Sequence, residues 1–183
     1  DIIGDELDNL EGYVKLDSVK YKYLINSYFA DKVTFSTSIV ADNNNRKILL
    51  RSPYLDADAG GFNKLSDLPK MYALLFNNIL PKVVNTKDIV DVDLIEWQTS
   101  QVETDEQLYF DFSFKDTKNI SDIFFPMFFI ADSTSIKGNY SFKGDKLDIS
   151  LKSNLVKYEN VEAKNISLNL NKNAKELFYD MTT

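Results

Sequence analysis

The stretch Leu108-Tyr109-Phe110-Asp111-Phe112-Ser113-Phe114-Lys115 decides the fold class. Its apolar residues fall on every second position, with polar or amphipathic residues between. A strand sends successive side chains to opposite faces, so a period of two predicts an extended segment with one greasy side and one wet side. The same alternation recurs on both sides of this stretch. Val33, Phe35, Thr37 and Ile39 alternate with Thr34, Ser36 and Ser38; Leu147, Ile149 and Leu151 with Lys146, Asp148, Ser150 and Lys152; Ile166, Leu168 and Leu170 with Ser167 and Asn169. Between these runs lie Asp42-Asn43-Asn44-Asn45 and Lys143-Gly144-Asp145-Lys146, whose residues tolerate the left-handed backbone of tight turns. The second turn is placed to close a hairpin between Tyr140–Phe142 and Leu147–Leu151. The expected fold is mainly β: antiparallel amphipathic strands in a curved, trough-like sheet with one or two short amphipathic helices.

One segment changes period. Leu68, Met71, Tyr72, Leu75, Phe76 and Ile79 form a helical stripe. Ser66 or Asp67 stands as N-cap, Pro69 in the first turn and Pro81 just past the end, so a helix is predicted there. A shorter helical turn is predicted after Asn119 and Ser121, cut by Pro126. The order of strands, helix, strands and turn, after which Gly138 opens another hairpin, is compatible with one unit over 1–183. A loose two-unit repeat over about 1–86 and 87–183 is the alternative.

Composition narrows the function. A chain of 183 residues with 44% hydrophobic and 13% aromatic content can bury a core. Histidine and cysteine are both absent. That removes Ser-His and Cys-His nucleophiles and zinc-thiolate sites, so no enzyme, metal or cofactor is expected. The net charge is −7 and no Lys/Arg cluster stands out, which argues against nucleic acid or an anionic lipid surface as partner. The most apolar run, Ile123–Ala131, is far too short to span a bilayer and contains Pro126. The chain opens at Asp1 with neither Met nor a leader, so a segment of a longer protein is expected.

Sharper motifs are weak. Asp56-Ala57-Asp58-Ala59-Gly60-Gly61 opens like a calcium loop with Asp67 at the closing position, but Gly60 stands where a ligand belongs and Asp67 where a bidentate Glu does. A strand end running into a glycine turn accounts for it better. Asp91 and Asp93 would share a strand face, where a solvated surface outweighs a catalytic pair. Trp97 reads as core or rim.

Bulky apolar residues on one face of almost every strand, with one long helix to cover them, leave more greasy area than that helix can shield. Several stretches in order resemble the TamB-like translocation and assembly module proteins of Bacteroidota, in the AsmA superfamily. They are Leu10–Leu16, Arg51–Ala57 with Gly61-Phe62, Leu65–Lys70, Phe110–Phe114, Phe124–Pro126 and Ile136–Tyr140. The resemblance covers essentially the whole chain, and order and spacing carry it rather than any single motif.

The resemblance implies a periplasmic segment of an inner-membrane-anchored protein, built as a U-shaped trough or β-taco. It would act without catalysis in phospholipid transport to the outer membrane, with a barrel protein as partner in outer-membrane assembly. Phospholipid acyl chains are then the expected partner. The groove candidates are Phe110, Phe112 and Phe114 on the Leu108 strand, then Tyr140, Phe142, Leu147, Ile149 and Leu151 on the following hairpin. Ile166, Leu168 and Leu170 complete them. Core packing is the competing reading for each. The Leu68 helix departs from a plain trough and would cap or plug it. The alternative function is a scaffold that assists barrel assembly by pairing its sheet edge with nascent strands.

Overall fold

A computed structural model describes residues 2–23, 26–40, 45–70, 107–118, 121, 128–173 and 176–182. Among the described residues, eleven strands form one open antiparallel sheet. They are β1 (Ile2–Ile3), β2 (Glu11–Tyr23), β3 (Asn26–Val40), β4 (Asn45–Arg51), β5 (Leu55–Phe62), β6 (Gln107–Phe114), β7 (Phe128–Ile130), β8 (Ser135–Ser141), β9 (Lys146–Tyr158), β10 (Val161–Asn173) and β11 (Glu176–Thr182). Neighbours in sequence are neighbours in the sheet, except that β8 rather than β7 follows β6 and β7 pairs with the far end of β9. Strands separated by a few residues pair as antiparallel neighbours, whereas β5 and β6 pair across the long stretch 63–106.

Register sorts the side chains. Val14 stands opposite Phe35, Phe35 opposite Leu50, and Leu50 opposite Ala57. The row continues through Phe112, Ile136, Leu151, Leu168 and Met181. A parallel row runs from Gly12 through Thr37, Ile48, Ala59, Phe110, Gly138, Ile149 and Leu170 to Tyr179. The predicted alternation therefore adds up coherently across the sheet, because opposite residues in an antiparallel pair share a face.

Local backbone departures keep it so. Gly61 is an extra residue between the Arg46↔Phe62 and Lys47↔Gly60 pairs, with φ +89. The bulge changes parity, so Phe62 joins Leu55, Ala57 and Ala59 on the apolar face. A Cβ at Gly61 would lie 1.6 Å from the Gln107 carbonyl oxygen, so only glycine fits. In β2 the apolar positions shift from Val14 and Leu16 to Val19 and Tyr21 across Ser18, whose φ is 62. In β10 they shift from Ile166 to Ala163 across Asn165, at φ 51.

The predicted 143–146 hairpin is present: Asp145 N–H donates to the Phe142 carbonyl, and Tyr140 pairs with Leu147. The Asn-rich turn falls at 41–44, outside the described residues, but the strands it joins pair as expected, Val40 opposite Asn45. Gly138 corrects the sequence reading. It opens no hairpin; it sits inside β8 opposite Phe110, whose ring fills the space a Cβ would take, 2.3 Å from Cζ. The predicted Leu68 helix begins where expected, after a 3-10 turn at Leu65–Asp67. Its continuation, with Met71, Tyr72, Leu75, Phe76 and Ile79, lies outside the described residues, as do Asp91, Asp93 and Trp97. Thr117, Lys118 and Ser121 are helical, the first two ahead of the predicted caps; the predicted turn after Ser121, up to Pro126, lies outside the described residues.

The core lies at one end of the apolar face. Phe62, Leu65, Leu108, Tyr140, Phe142, Leu147 and Leu170 are buried together, with Leu10, Ile48, Leu68 and Ile149 packed against them. Tyr140 and Phe142 meet edge to face at 5.0 Å.

Candidate functional site

The candidate site is the apolar face between two closed ends. At the first end, the Leu65–Lys70 segment folds over the core, and the Leu7–Asn9 3-10 turn packs beside it. Arg46, only 1% exposed, holds this end. Its guanidinium donates to the carbonyls of Leu10 and Asp8 and, at 3.0 Å, to Thr37 Oγ1, while Nε has no partner among the described residues. Asp8 in turn accepts from the Ser66 backbone N–H and hydroxyl, which holds its carboxyl below the usual range.

At the second end the apolar rows give way to buried polar contacts. Thr134 Oγ1 and Ser153 Oγ lie 2.6 Å apart, and Asp132 Oδ1 accepts from the Thr117 N–H at 3.0 Å. These groups satisfy one another, as buried polar atoms must.

Between the ends the sequence-predicted residues divide. Tyr140, Phe142 and Leu147 are fully enclosed, and Ile166 and Leu170 nearly so. Phe110, Phe112, Phe114, Ile149, Leu151 and Leu168 keep part of their surface open. Phe110 and Phe112 stack at 5.5 Å with their planes 23° apart, side by side along β6. The structure thus brings the predicted set onto one face, with one subset enclosed as core and another lining the open floor.

A cavity of about 340 Å³ opens on the same face beside β2 and β3. Leu10, Val14, Phe35, Thr37, Leu65 and Leu68 line it. Its size falls in the lower part of the range of about 300–1,000 Å³ common for small-molecule sites. Sequence reasoning saw the Val33–Ile39 alternation but placed no site on it. The cavity needs Leu65 and Leu68 as a roof, and they arrive from a distant part of the chain.

The opposite face is polar and charge-paired. Arg51 pairs with Asp58, Lys115 with Asp56 at 2.7 Å, and Lys137 with Asp111 at 2.7 Å. The hydrogen bond to Asp58 raises the Arg51 pKa. The carboxylates of the calcium-like stretch, Asp56 and Asp58, are therefore engaged by cations on this face. Among the described residues, no group of carboxylates is arranged to hold a metal ion, and no helix is long and apolar enough to cross a membrane.

No protein-family model matches this chain, and neither a curated protein nor a solved structure matches it significantly.

Proposed function

We infer that this chain is a non-enzymatic segment of a TamB-like envelope protein whose apolar sheet face shields or conducts phospholipid acyl chains between the inner and outer membranes. The observation that carries this reading is the pair of side-chain rows from β2 to β11, apolar but for Thr37 and two glycines, part of whose side chains remain open. Moving an acyl chain through water costs about 0.8 kcal/mol per CH₂, on the order of 12 kcal/mol for about fifteen. A continuous greasy floor removes most of that cost without any converging ionisable groups. The reading places the segment in the periplasm of a Gram-negative envelope, within an inner-membrane-anchored protein.

Mass spectrometry of the purified segment tests it: phospholipid co-isolates with the native chain and is lost from Phe112→Asp and Ile149→Lys while the β-sheet circular dichroism persists. Repeated recovery of a folded but lipid-free native chain would refute it.

A second reading, a scaffold for outer-membrane barrel assembly through strand augmentation, is favoured by β11. All of its residues are exposed, Tyr179 to 77%, and no described strand pairs with its outer edge. Proline at alternate β11 positions would abolish assembly activity under this reading and leave lipid recovery intact.

A further inference from the structure

The β2–β3 hairpin extends past its neighbour. β4 follows β3 only as far as the Thr34↔Arg51 pair, whereas β2 and β3 continue pairing from Asp17↔Lys32 to Tyr23↔Asn26. The Tyr54 hydroxyl, donating to the Phe29 carbonyl, ties the hairpin back to the turn after β4. Beyond the Ser18 kink its chemistry differs from that of the rest of the chain. From Val19 to Ala30 there are two lysines, Lys20 and Lys22, and no carboxylate, with Asp17, Asp31 and Lys32 at the base of the projection, in a protein of net charge −7.

Aromatics sit among those lysines. Phe29, 53% exposed, stands opposite Lys20 and shares its face, while Tyr21, 48% exposed, stands one residue along on the other face. Exposed aromatics interleaved with lysines fit the boundary between headgroups and acyl chains: the rings sit at the headgroup level and the ammonium groups meet anionic phosphate. The β9–β10 hairpin projects at the same end of the sheet with Tyr158 and Val161 exposed, but there Glu162 pairs with Lys157.

We propose that the projecting strands of the β2–β3 hairpin dock this protein on an anionic lipid surface, with Tyr21 and Phe29 entering the interface from the two faces and Lys20 and Lys22 holding phosphate. Charge averaged over the chain opposes such a partner. Charge at the hairpin favours it, because electrostatic attraction to a surface is decided within a Debye length of the contact. The inference does not depend on lipid passing along the trough.

Flotation tests it with the native chain and vesicles of phosphatidylcholine alone or of equal parts phosphatidylcholine and phosphatidylglycerol. The chain floats with the anionic vesicles and less so as salt rises. Lys20→Gln and Lys22→Gln each weaken binding about fivefold. Tyr21→Ser combined with Phe29→Ser abolishes flotation, whereas the trough variant Ile149→Lys floats like the native chain. The chain has no cysteine, so Ser27→Cys accepts a single environment-sensitive dye. Its emission shifts to the blue on anionic vesicles, while the same dye at Lys137→Cys on the polar face does not shift. A native chain that fails to float with either vesicle, hairpin variants that float unchanged, loss of flotation in Ile149→Lys alone, or an unmoved dye at position 27 would each overturn the proposal.

Discussion

Asp8 holds Ser66 with both carboxylate oxygens: Oδ1 accepts the backbone N–H at 2.8 Å and Oδ2 the hydroxyl at 2.7 Å. The two residues are far apart in sequence, and this contact ties the turn before β2 to the segment that roofs the apolar cavity. Hydrogen bonds from Ser66 favour the ionised carboxylate and lower its pKa from the ordinary 3.8. A depressed pKa contributes stability that is complete above the unfolded value and is lost as pH falls through the folded one. The Ser66 amide is therefore expected to be protected from hydrogen exchange at neutral pH and to lose that protection only as pH falls through the lowered Asp8 pKa, below the ordinary 3.8. Asp8→Asn should weaken protection at neutral pH and remove the acid dependence.

The Arg46 fork is the second tie at this end. Arg46→Met leaves the carbonyls of Leu10 and Asp8 without their donor inside a closed site, at a cost on the order of 3 kcal/mol. Urea unfolding measures it. Arg46→Lys should recover little of the loss, since one ammonium cannot reproduce a planar fork.

Gly61 and Gly144 are expected to respond oppositely to alanine. At Gly61 the added Cβ meets a backbone carbonyl at 1.6 Å from a left-handed φ, so destabilisation of roughly 3 kcal/mol or more is expected. At Gly144 the nearest atoms are those of the Lys146 side chain at 3.2 Å, which can move aside, so the change should lie within about 0.5 kcal/mol. Equal shifts in thermal midpoint for the two variants would contradict the bulge as described.

Leu147 and Leu151 lie on the same face of β9 but differ in enclosure. Leu147→Ala should cost roughly 2–5 kcal/mol, because it opens a cavity in the packed core. Leu151→Ala, at a half-buried position, should cost about 1–2 kcal/mol. If lipid occupies the floor, Leu151→Ala should reduce recovered phospholipid while Leu147→Ala reduces stability without selectively emptying the face.

The alternation of Leu108–Lys115, Lys146–Lys152 and Ile166–Leu170 was legible in the sequence because strand period is a local property, and it determined those strands and their two faces; of the pairing order, only neighbours joined by a short turn were legible. The start of the Leu68 helix was legible through its change of period and Pro69, but Ser66 and Asp67 lie inside the Leu65–Asp67 3-10 turn and do not cap it. Only the tertiary structure decided which apolar residues close as core and which remain open floor. Leu147 is enclosed because Phe62, Leu65 and Leu108 converge on it from elsewhere in the chain, while Leu151, with the same local pattern, receives no such cover. The Gly61 bulge, the burial of Arg46 and the roofed cavity beside Phe35 were likewise hidden. Each depends on the meeting of segments distant in sequence, and a repeat of two residues carries no information about which strand will lie across it.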